Sequence, residues 1–428
     1  MGTIIIASML LLMALAAPVG IAIGLASVVA MLIKGSLPMI LLPQRMIFGV
    51  DNFVLLAIPF FLLAGNLMNA SGITQRLVDF ATNLVGHIAG GLGHVSIVTG
   101  MIMAGMSGSA VADGTAISAV MIPTMVRAGF PAAFAAAVTA ASATTGPVIP
   151  PSINFVIYGS YAEVSTGRLF FAGIVPGVLM GLYMMGALYV VSRRRGYGAY
   201  SRRPPLRHLV GSFLRAAPAM LLPIIILGGI LCGAFTPTEA AVVAAVYALI
   251  LGVAYGKLKL TQLGSVVSET IIGTAIVMFI VATFSLGGWI LAAERTPAGL
   301  ITFFGGLTDN RYVMLAILNV VFLFLGMIID ASALLIVFIP MFLPLVKGVG
   351  IDLVHFGVVV TLNLMIGLMT PPVGMLMYIV CRQAKISVVE FTREAIPFFI
   401  ALLAVLVLIT FIPELVLFIP NLLMGPSK

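Results

Sequence analysis

Residues 144–159 read TTGPVIPPSINFVIYG, and residues 367–380 read GLMTPPVGMLMYIV. Each stretch interrupts an apolar segment with two adjacent prolines. Proline lacks the backbone N–H that a helix needs and clashes with the preceding turn, so a proline pair breaks a helix. The pairs Pro150-Pro151 and Pro371-Pro372 lie 221 residues apart. The chain is therefore predicted to contain two copies of one broken apolar element.

Further landmarks repeat in the same order on both sides of the middle of the chain. The pairs with nearly the same offset are Pro123 with Pro340, Phe170 with Phe391, and Pro176 with Pro397. Internal repeats of this kind are typical of secondary transporters, which bind their substrate where the repeats meet. We therefore predict a first repeat over residues 1–192 and a second over residues 216–428, joined by a loop over 193–215.

The composition places the chain in the membrane. It has 428 residues, of which 62% are hydrophobic and 8% are charged, whereas soluble domains carry about 25% charged residues. Apolar runs near the roughly 20 residues that span a bilayer recur along its length. The first run, residues 3–32, is too long for a signal-peptide core and lacks a basic leader, so it predicts a first membrane span. The fold class is predicted to be an all-α polytopic membrane protein.

The net charge of +8 is concentrated in one place. Seven of the 21 Lys and Arg residues fall in SRRRGYGAYSRRPPLRHLVGSFLR, residues 192–215. Short basic loops between membrane spans lie on the cytoplasmic side. The excess of positive charge therefore predicts that the loop 193–215 is cytoplasmic. The chain is expected to lie in a lipid bilayer, and no nucleic-acid partner is expected.

Each half also contains a polar turn between two short apolar arms. The first is GMSGSAVADGTA, residues 105–116, inside a predicted hairpin over about 96–129. The second surrounds IDAS, inside a predicted hairpin over about 313–347. The apolar arms on either side of each turn are too short to span a bilayer, so they predict re-entrant hairpins. The broken helices follow them, over about 131–165 and 351–385, and such matched interruptions point to a transporter's binding site.

The polar residues of these segments suggest cation binding. Hydroxyl, carboxylate and carbonyl oxygens suit an alkali cation and not zinc or copper, which prefer His and Cys. The first half offers Ser107, Ser109 and Thr145, and the second offers Asp330, Ser332 and Thr370. We therefore expect two cation sites, one in each repeat.

The serines and the aspartate of the first polar turn also have structural explanations. Serines in a glycine-rich membrane helix can form a close-packing face, which applies to Ser107 and Ser109. Asp113 can instead be an N-cap for the arm beginning GTAISAV. A carboxylate at membrane depth is nevertheless costly and marks function by default. The helices after the proline pairs begin near Ser152 and Asn154 in the first half and near Val373 and Gly374 in the second, and they would direct positive dipole ends at an anion.

Other polar residues have local explanations. In GAFTPTEAAVVAAVYAL, Thr236 and Glu239 have the spacing of a capping box. Four cations that flank apolar segments predict contacts with lipid headgroups, or in one case with an anionic substrate. They are Arg127, Arg168, Lys347 and Arg382.

Two classes of protease and an ion channel are the competing functions. GMSG contains the G-x-S-G pattern of rhomboid intramembrane serine proteases, but His208 and His355 are poorly placed to activate Ser107. Neither Asp113 nor Asp330 has the glycine-flanked context of an intramembrane aspartyl protease. A channel would ordinarily supply one filter element per subunit. We therefore expect no catalytic residues and no enzyme activity.

The chain resembles the large membrane subunit of tripartite ATP-independent periplasmic (TRAP) transporters. The resemblance lies in SGSAVADGTAI, TTGPVIPPSINFVIYG, GAFTPTEAAVVAAVYAL, GMIIDASALLIVFIPMFLP and GLMTPPVGMLMY, which follow one another in the family's order. It implies an elevator fold, in which a transport domain holding both hairpins and both broken helices slides past a scaffold. It also implies sodium-driven symport without ATP, consistent with the absence of a G-x-x-x-x-G-K-[ST] loop.

The resemblance implies partners as well. A small four-helix membrane subunit, expected here as a separate chain, would complete the scaffold in the bacterial inner membrane. A periplasmic binding protein would deliver an organic acid such as a C4-dicarboxylate or sialic acid. No cofactor is implied beyond sodium as the coupling ion. A stand-alone sodium/dicarboxylate symporter is the main alternative.

The resemblance also assigns residues. The first sodium site would use Ser107, Ser109, Asp113, Thr145 and Gly146. The second sodium site would use Asp330, Ser332, Gly367 and Thr370. The substrate would lie near Pro151, Ser152, Asn154 and Pro372.

Overall fold

The computed structural model describes residues 2–15, 17–35, 38–201, 204–294, 299 and 303–426. Across these ranges the regular secondary structure is helical and contains no strand. Seven of the described helical segments are long and apolar enough to cross a membrane: Phe53–Ala70, Thr166–Arg195, Leu206–Leu231, Pro237–Ala254, Thr261–Ala293, Ala331–Gly348 and Val388–Phe411. The prediction of an all-α polytopic membrane protein is confirmed.

The helices are numbered in chain order. Those before the middle of the chain are α1 (Gly2–Ala14), α2 (Val19–Lys34), α3 (Leu41–Val50), α4 (Ala57–Ala70), α5 (Ile73–Val85), α6 (Gly91–Ser107), α7 (Ala110–Arg127), α8 (Ala132–Ala143), α9 (Ile153–Ala162) and α10 (Thr166–Arg195). Those after it are α11 (Leu206–Leu231), α12 (Pro237–Ala254), α13 (Leu260–Ala293), α14 (Arg311–Gly326), α15 (Ala331–Gly348), α16 (Leu353–Leu368), α17 (Met375–Ala384), α18 (Val388–Phe411) and α19 (Glu414–Met424).

The first apolar run does not form one span. It divides into α1 and α2, and Pro18 occupies the N-cap position of α2. Proline is tolerated at a helix start because its missing N–H would have no partner there. The prediction of a single span over residues 3–32 was therefore wrong.

The predicted capping box is confirmed, since Thr236 Oγ1 accepts from the Glu239 amide while the Glu239 carboxylate accepts from the Thr236 amide.

The first polar turn joins α6 to α7. Gly108 has a positive φ of 62°, and a Cβ there would lie 2.6 Å from the Pro151 carbonyl oxygen. Only glycine therefore fits both the left-handed conformation and the close approach of the first broken helix. Ser109 is the N-cap of α7, and its Oγ accepts from the Ala112 amide at 3.4 Å.

The second polar turn joins α14 to α15. Asp330 is the N-cap of α15, and its Oδ1 accepts from the Ser332 amide at 2.9 Å and the Ala333 amide at 3.4 Å. The Val373 amide donates to the Met327 carbonyl at 3.1 Å, which attaches this turn to the second broken helix. The tip of each hairpin thus contacts the broken helix of its own half.

Both proline pairs interrupt a helix as predicted from proline chemistry. Segment 144–152 separates α8 from α9, and segment 369–374 separates α16 from α17. Each proline pair has a cis peptide bond. Ser152 is the N-cap of α9, where its Oγ accepts from the Phe155 amide at 3.2 Å. The repeat boundaries and the re-entrant depth of the hairpins stay predictions.

In each half, the second arm of the hairpin packs against the broken helix of the other half. The second arm of the first hairpin, α7, packs against α17, and the second arm of the second hairpin, α15, packs against α9. A Cβ at Gly114 of α7 would lie 2.3 Å from Leu376 Cδ1, so this contact brings the helix surfaces together. The broken helices also meet directly, because Tyr158 Oη donates to the Leu353 carbonyl at 2.6 Å. The two hairpins and two broken helices therefore form one packed unit, here called the central unit.

A second set of helices packs beside the central unit. Helix α13 contacts α2, α3 and α4, and α12 packs along α4. We call α2, α3, α4, α12 and α13 the flanking helices. Among their contacts with the central unit are those of α4 with α6 and of α13 with α15.

The basic segment and one predicted headgroup contact differ from expectation. Helix α10 continues to Arg195 and α11 begins at Leu206, so the segment between them is shorter than the predicted loop 193–215. Two of its cations, Arg202 and Arg203, lie outside the described residues.

Arg168 donates to the Gly425 carbonyl and to Asn421 Oδ1, each at 2.8 Å. The headgroup prediction was therefore wrong for Arg168, which tethers α19 instead.

Candidate cation and substrate site

Asp113 lies in the first turn of α7 and is completely buried. Its Oδ1 accepts a hydrogen bond from Ser107 Oγ at 2.6 Å, across the hairpin turn. Its Oδ2 is buried as well and has no hydrogen-bond partner among the described residues. The interpretation of Asp113 as an N-cap was wrong, because Ser109 caps α7. The carboxylate is therefore left with one oxygen available to a ligand.

Gly146 lies directly against that oxygen. A Cβ at this position would be 2.8 Å from Asp113 Oδ2 and 3.2 Å from the Ala110 amide nitrogen. The Ser109 amide donates to Ser107 Oγ at 3.2 Å. The structure thus brings together Ser107, Ser109, Asp113 and Gly146, from the hairpin tip and the broken helix.

Thr145, the remaining residue predicted for the first site, is buried but directed elsewhere. Its Oγ1 donates to the Ser142 carbonyl at 2.7 Å, one turn back along its own chain segment. Its carbonyl accepts from the Val148 amide at 3.1 Å and the Ile149 amide at 2.9 Å. Thr145 therefore precedes Gly146 in the chain, but the described structure contains no hydrogen bond between Thr145 and Asp113.

The residues predicted for the second site divide into two groups. Gly367 contacts the hairpin backbone, since a Cβ there would lie 2.5 Å from the carbonyl carbon of Gly326 and 2.6 Å from its oxygen. Thr370 Oγ1 donates to the Ile366 carbonyl at 2.6 Å. Asp330 and Ser332 instead face a cavity between the central unit and the flanking helices.

This cavity has a volume of about 490 Å³ and receives residues from both hairpin tips. Its polar side chains are Ser109, Asn154, Asp330 and Ser332. Among the residues predicted to bind substrate, Asn154 lines the cavity and is only 5% exposed. Pro151 and Ser152 are buried and do not line it, and Ser152 Oγ donates to the Pro147 carbonyl. Pro372 is exposed and also lies outside the lining.

Four helices of the central unit begin at the cavity wall. Their first residues all line it: Ala110 of α7, Ile153 of α9, Ala331 of α15 and Met375 of α17. The N-terminal end of a helix carries a partial positive charge and free amide donors, which favour an anion. The Asp330 carboxylate occupies this position at α15. The other three N-termini are directed towards the cavity without an acidic side chain as their cap.

Sequence reasoning missed the opposite wall of the cavity. It includes Ile21 of α2, Leu62 of α4, and Ile276 and Val277 of α13. Apolar side chains on a membrane helix give the same pattern whether they face lipid or a cavity. No signal in one sequence separates the two, so only the packing of α13 beside the hairpins identifies these residues.

A family model described as "Tripartite ATP-independent periplasmic transporter, DctM component" matches residues 6–415. The chain belongs to this family. It is a TRAP large permease subunit, a multi-pass membrane protein of a secondary transport system, and not an enzyme. The alternative of an intramembrane serine protease was therefore wrong.

Curated relatives of this TRAP subunit carry different substrate names. The sialic acid TRAP transporter large permease protein of Vibrio cholerae is 42% identical over 412 residues, which cover 95% of this chain and 96% of the relative. The C4-dicarboxylate TRAP transporter large permease protein of Pseudomonas aeruginosa is 39% identical over 372 residues, 87% of each chain. The family membership of this subunit is therefore supported along nearly its whole length.

A solved structure supports the fold. The YdaH transporter of Alcanivorax borkumensis superimposes with a TM-score of 0.59 at 15% identity, covering 86% of this TRAP subunit and 87% of that chain. At this identity the likeness concerns the fold alone.

Proposed function

We propose that this chain performs sodium-coupled secondary active uptake of a small organic acid across the bacterial inner membrane. The observation that carries the proposal is the fully buried Asp113, whose Oδ2 lies against Gly146 and has no hydrogen-bond partner in the part of the chain that the structure describes. A buried carboxylate is costly unless it is paired with a cation or hydrogen-bonded donors. A sodium ion held at this oxygen would neutralise it, with Ser107 and nearby backbone carbonyls as further ligands.

The second coupling ion would bind at Asp330 and Ser332. Both line the cavity, next to the start of α15. The Asp330 carboxylate caps this helix. Gly367 would support the site from behind, because its close contact with Gly326 holds the broken helix against the hairpin turn.

The substrate anion would bind in the cavity itself. Asn154 supplies an amide side chain there, and the N-termini of α7, α9 and α17 supply backbone donors. Uncharged donors and dipoles of this kind can hold a carboxylate without a permanent countercharge. Sodium at the hairpin tips would then order the wall of the cavity that the substrate contacts.

We further propose an elevator movement of the central unit past the flanking helices. The cavity lies where these two sets of helices meet, so such a movement would carry its contents across the bilayer. The basic segment after α10 would lie in the cytoplasm, following the distribution of positive charge. A small membrane subunit would extend the flanking helices, and a periplasmic binding protein would deliver the acid. Membership of a tripartite periplasmic transporter family supports these partners, and the names of two relatives support an organic-acid substrate.

Reconstitution tests the proposal. The chain and its small subunit would be placed in proteoliposomes, and uptake of radiolabelled organic acids followed with an inward sodium gradient, with and without the matching binding protein. We expect uptake that requires both. Uptake driven by sodium without the binding protein would favour a stand-alone symporter. An uptake rate that is the same with and without the sodium gradient would contradict the proposed coupling.

A further inference from the structure

A hydrogen bond between two side chains joins the central unit to the flanking helices. Asn52 lies in the link between α3 and α4, and its Nδ2 donates to Ser160 Oγ at 3.0 Å. Ser160 belongs to the last turn of α9, in the first broken helix. The bond therefore crosses the boundary along which the proposed elevator movement would take place.

Asn52 is held in position on the flanking side of this boundary. Its Oδ1 accepts from the Val54 amide at 2.9 Å and so caps the short helical turn that begins at Phe53. The Phe53 carbonyl in turn accepts from Thr238 Oγ1 of α12 at 3.0 Å. Because Oδ1 is engaged by a backbone donor, the side chain can only present its NH₂ group to Ser160.

Ser160 moves with the substrate cavity. Helix α9 runs from Ile153 to Ala162, so Ser160 lies near one end of it, and Asn154 lines the substrate cavity at the other end. The same helix packs against α15 of the second hairpin. A displacement of the central unit therefore carries Ser160 away from Asn52.

The packing of α13 against α15 is of a different kind. Where these helices meet, Phe284 and Leu291 of α13 face Val337 and Met341 of α15 around a small apolar gap. Apolar contacts have no directional requirement, so one set can replace another as helices slide. A hydrogen bond has such a requirement and is lost once its two atoms separate by more than about 3.5 Å. Transfer across a hydrocarbon core about 30 Å thick needs a much larger movement.

The surroundings of the bond keep its contribution small. A second cavity, of about 370 Å³, lies beside it and is lined by both partners and by Asp51, Glu163 and Trp289. Asn52 is exposed and Ser160 is partly exposed. Water can therefore replace each partner when the bond opens, and an exchange of this kind changes an equilibrium constant by roughly two- to tenfold. A bond of this size biases the position of the central unit without preventing its movement.

We infer that the Asn52–Ser160 hydrogen bond is a latch, which favours the described position of the central unit and opens when that unit moves past the flanking helices. The inference rests on the proposed elevator movement and adds a contact that sets the balance between two positions. Loss of the latch should shift that balance and leave the fold of each set of helices intact.

Distances between spin labels test the latch in the whole complex. Labels would be placed at Ala128→Cys, in the turn after α7, and at Lys257→Cys, in the turn after α12, because both positions are exposed. The exposed Cys232 would be replaced by serine, whereas Cys381 is buried. The chain and its small subunit would be measured in lipid nanodiscs with sodium, with potassium, and with sodium and each of two organic acids, a C4-dicarboxylate and sialic acid.

We expect two label distances, one of them matching the described structure. Ser160→Ala removes the acceptor and continues α9, so it should lower the population at the described distance, relative to the other, by roughly two- to tenfold. Thr270→Val is the matched control, because Thr270 Oγ1 accepts from Asn66 Nδ2 at the same 3.0 Å but both residues lie in flanking helices. The control should leave the two populations unchanged.

A second variant separates the latch from a local effect on α9. Asn52→Ser keeps an oxygen that can cap the turn but has no amide donor that reaches Ser160. It should shift the populations as Ser160→Ala does, and the double variant should shift them no further. Additive shifts, or a shift as large in Thr270→Val, would overturn the latch. Two distances with populations unchanged in Ser160→Ala would overturn the latch and leave the elevator movement standing. A single distance under every condition would overturn both.

Discussion

The Gly146→Ala substitution isolates the cation site of the first half. Gly146 has no left-handed backbone conformation, so alanine introduces one methyl group without backbone strain. That methyl carbon would lie 2.8 Å from Asp113 Oδ2. The substitution therefore acts on the Asp113 oxygen that accepts no hydrogen bond from a described residue, and it leaves the charge and the Ser107 hydroxyl in place.

The expected effect follows from this distance. Ordinary van der Waals contact begins at 3.4 Å, so the carboxylate oxygen or the new methyl would have to move by about 0.6 Å. The Ala110 amide and the Ala143 carbonyl, each 3.2 Å from the same methyl, restrict the movement. Overpacking of this kind costs about 1–3 kcal/mol. If that cost falls on the sodium-bound state, the half-saturating sodium concentration rises roughly five- to 150-fold.

The assay is the sodium dependence of uptake in proteoliposomes, with thermal unfolding of the purified complex measured in parallel. Gly186→Ala is the matched control, because a Cβ at this glycine of α10 meets nothing within 4 Å. We expect the control to behave as wild type in both measurements. A folded Gly146→Ala complex with an unchanged sodium requirement would refute the assignment of Asp113 as a sodium ligand.

Substitutions at three further positions test the second half and the contact between the halves. Asp330→Ser keeps an oxygen that can cap α15, so sodium-dependent uptake should be lost while stability falls by less than about 1 kcal/mol; Asp330→Ala also loses the cap, at about 0.5–2 kcal/mol. Gly367→Ala would place a methyl 2.5 Å from the Gly326 backbone, and should lower both the melting temperature and uptake. Tyr158→Phe removes the 2.6 Å bond to the Leu353 carbonyl and should destabilise the complex by about 1–3 kcal/mol.

Each of these predictions has a control and a contrary outcome. Sodium-dependent uptake by Asp330→Ser would show that its carboxylate serves only as a helix cap. Gly348→Ala, where a new methyl meets nothing within 4 Å, should leave melting and uptake unchanged. A normal melting temperature for Gly367→Ala would mean that the hairpin separates easily from the broken helix. Tyr378→Phe removes an exposed bond to the Pro372 carbonyl and should destabilise less than Tyr158→Phe; the reverse order would contradict the reasoning.

The sequence was most informative where the chemistry of single residues is decisive. Proline cannot continue a helix, so the interruptions at Pro150-Pro151 and Pro371-Pro372 could be placed to within a few residues. The capping box at Thr236 could be found for the same reason, since its two residues act over a fixed short spacing. The division of the first apolar run into α1 and α2 was missed although Pro18 lies between them. A long apolar run predicts one span by its hydropathy, but a proline inside it favours the start of a new helix.

The site was harder to predict, because its residues meet through packing. Ser107 and Asp113 are six positions apart and could be joined by a turn, but the contact of Gly146 with Asp113 requires the broken helix to lie against the hairpin. Ser152 and Asn154 looked equivalent in the sequence. In the structure Ser152 caps α9 and is turned away from the cavity, whereas Asn154 faces it. A hydroxyl next to a helix start can serve either purpose, and only the three-dimensional surroundings decide between them.

The crossed packing of the halves gives the two proposed cation sites a physical connection. Asp113 lies at the start of α7, which packs against α17 of the second half, and Asp330 caps α15, which packs against α9 of the first half. Helices α9 and α17 both begin at the cavity wall, where the substrate anion would bind. An ion that fixes one hairpin tip therefore also restrains the helix start contributed by the other half. Packed helices carry coupling between two sites when they have two arrangements that both sites bias, so we expect either ion to affect substrate binding without touching the substrate.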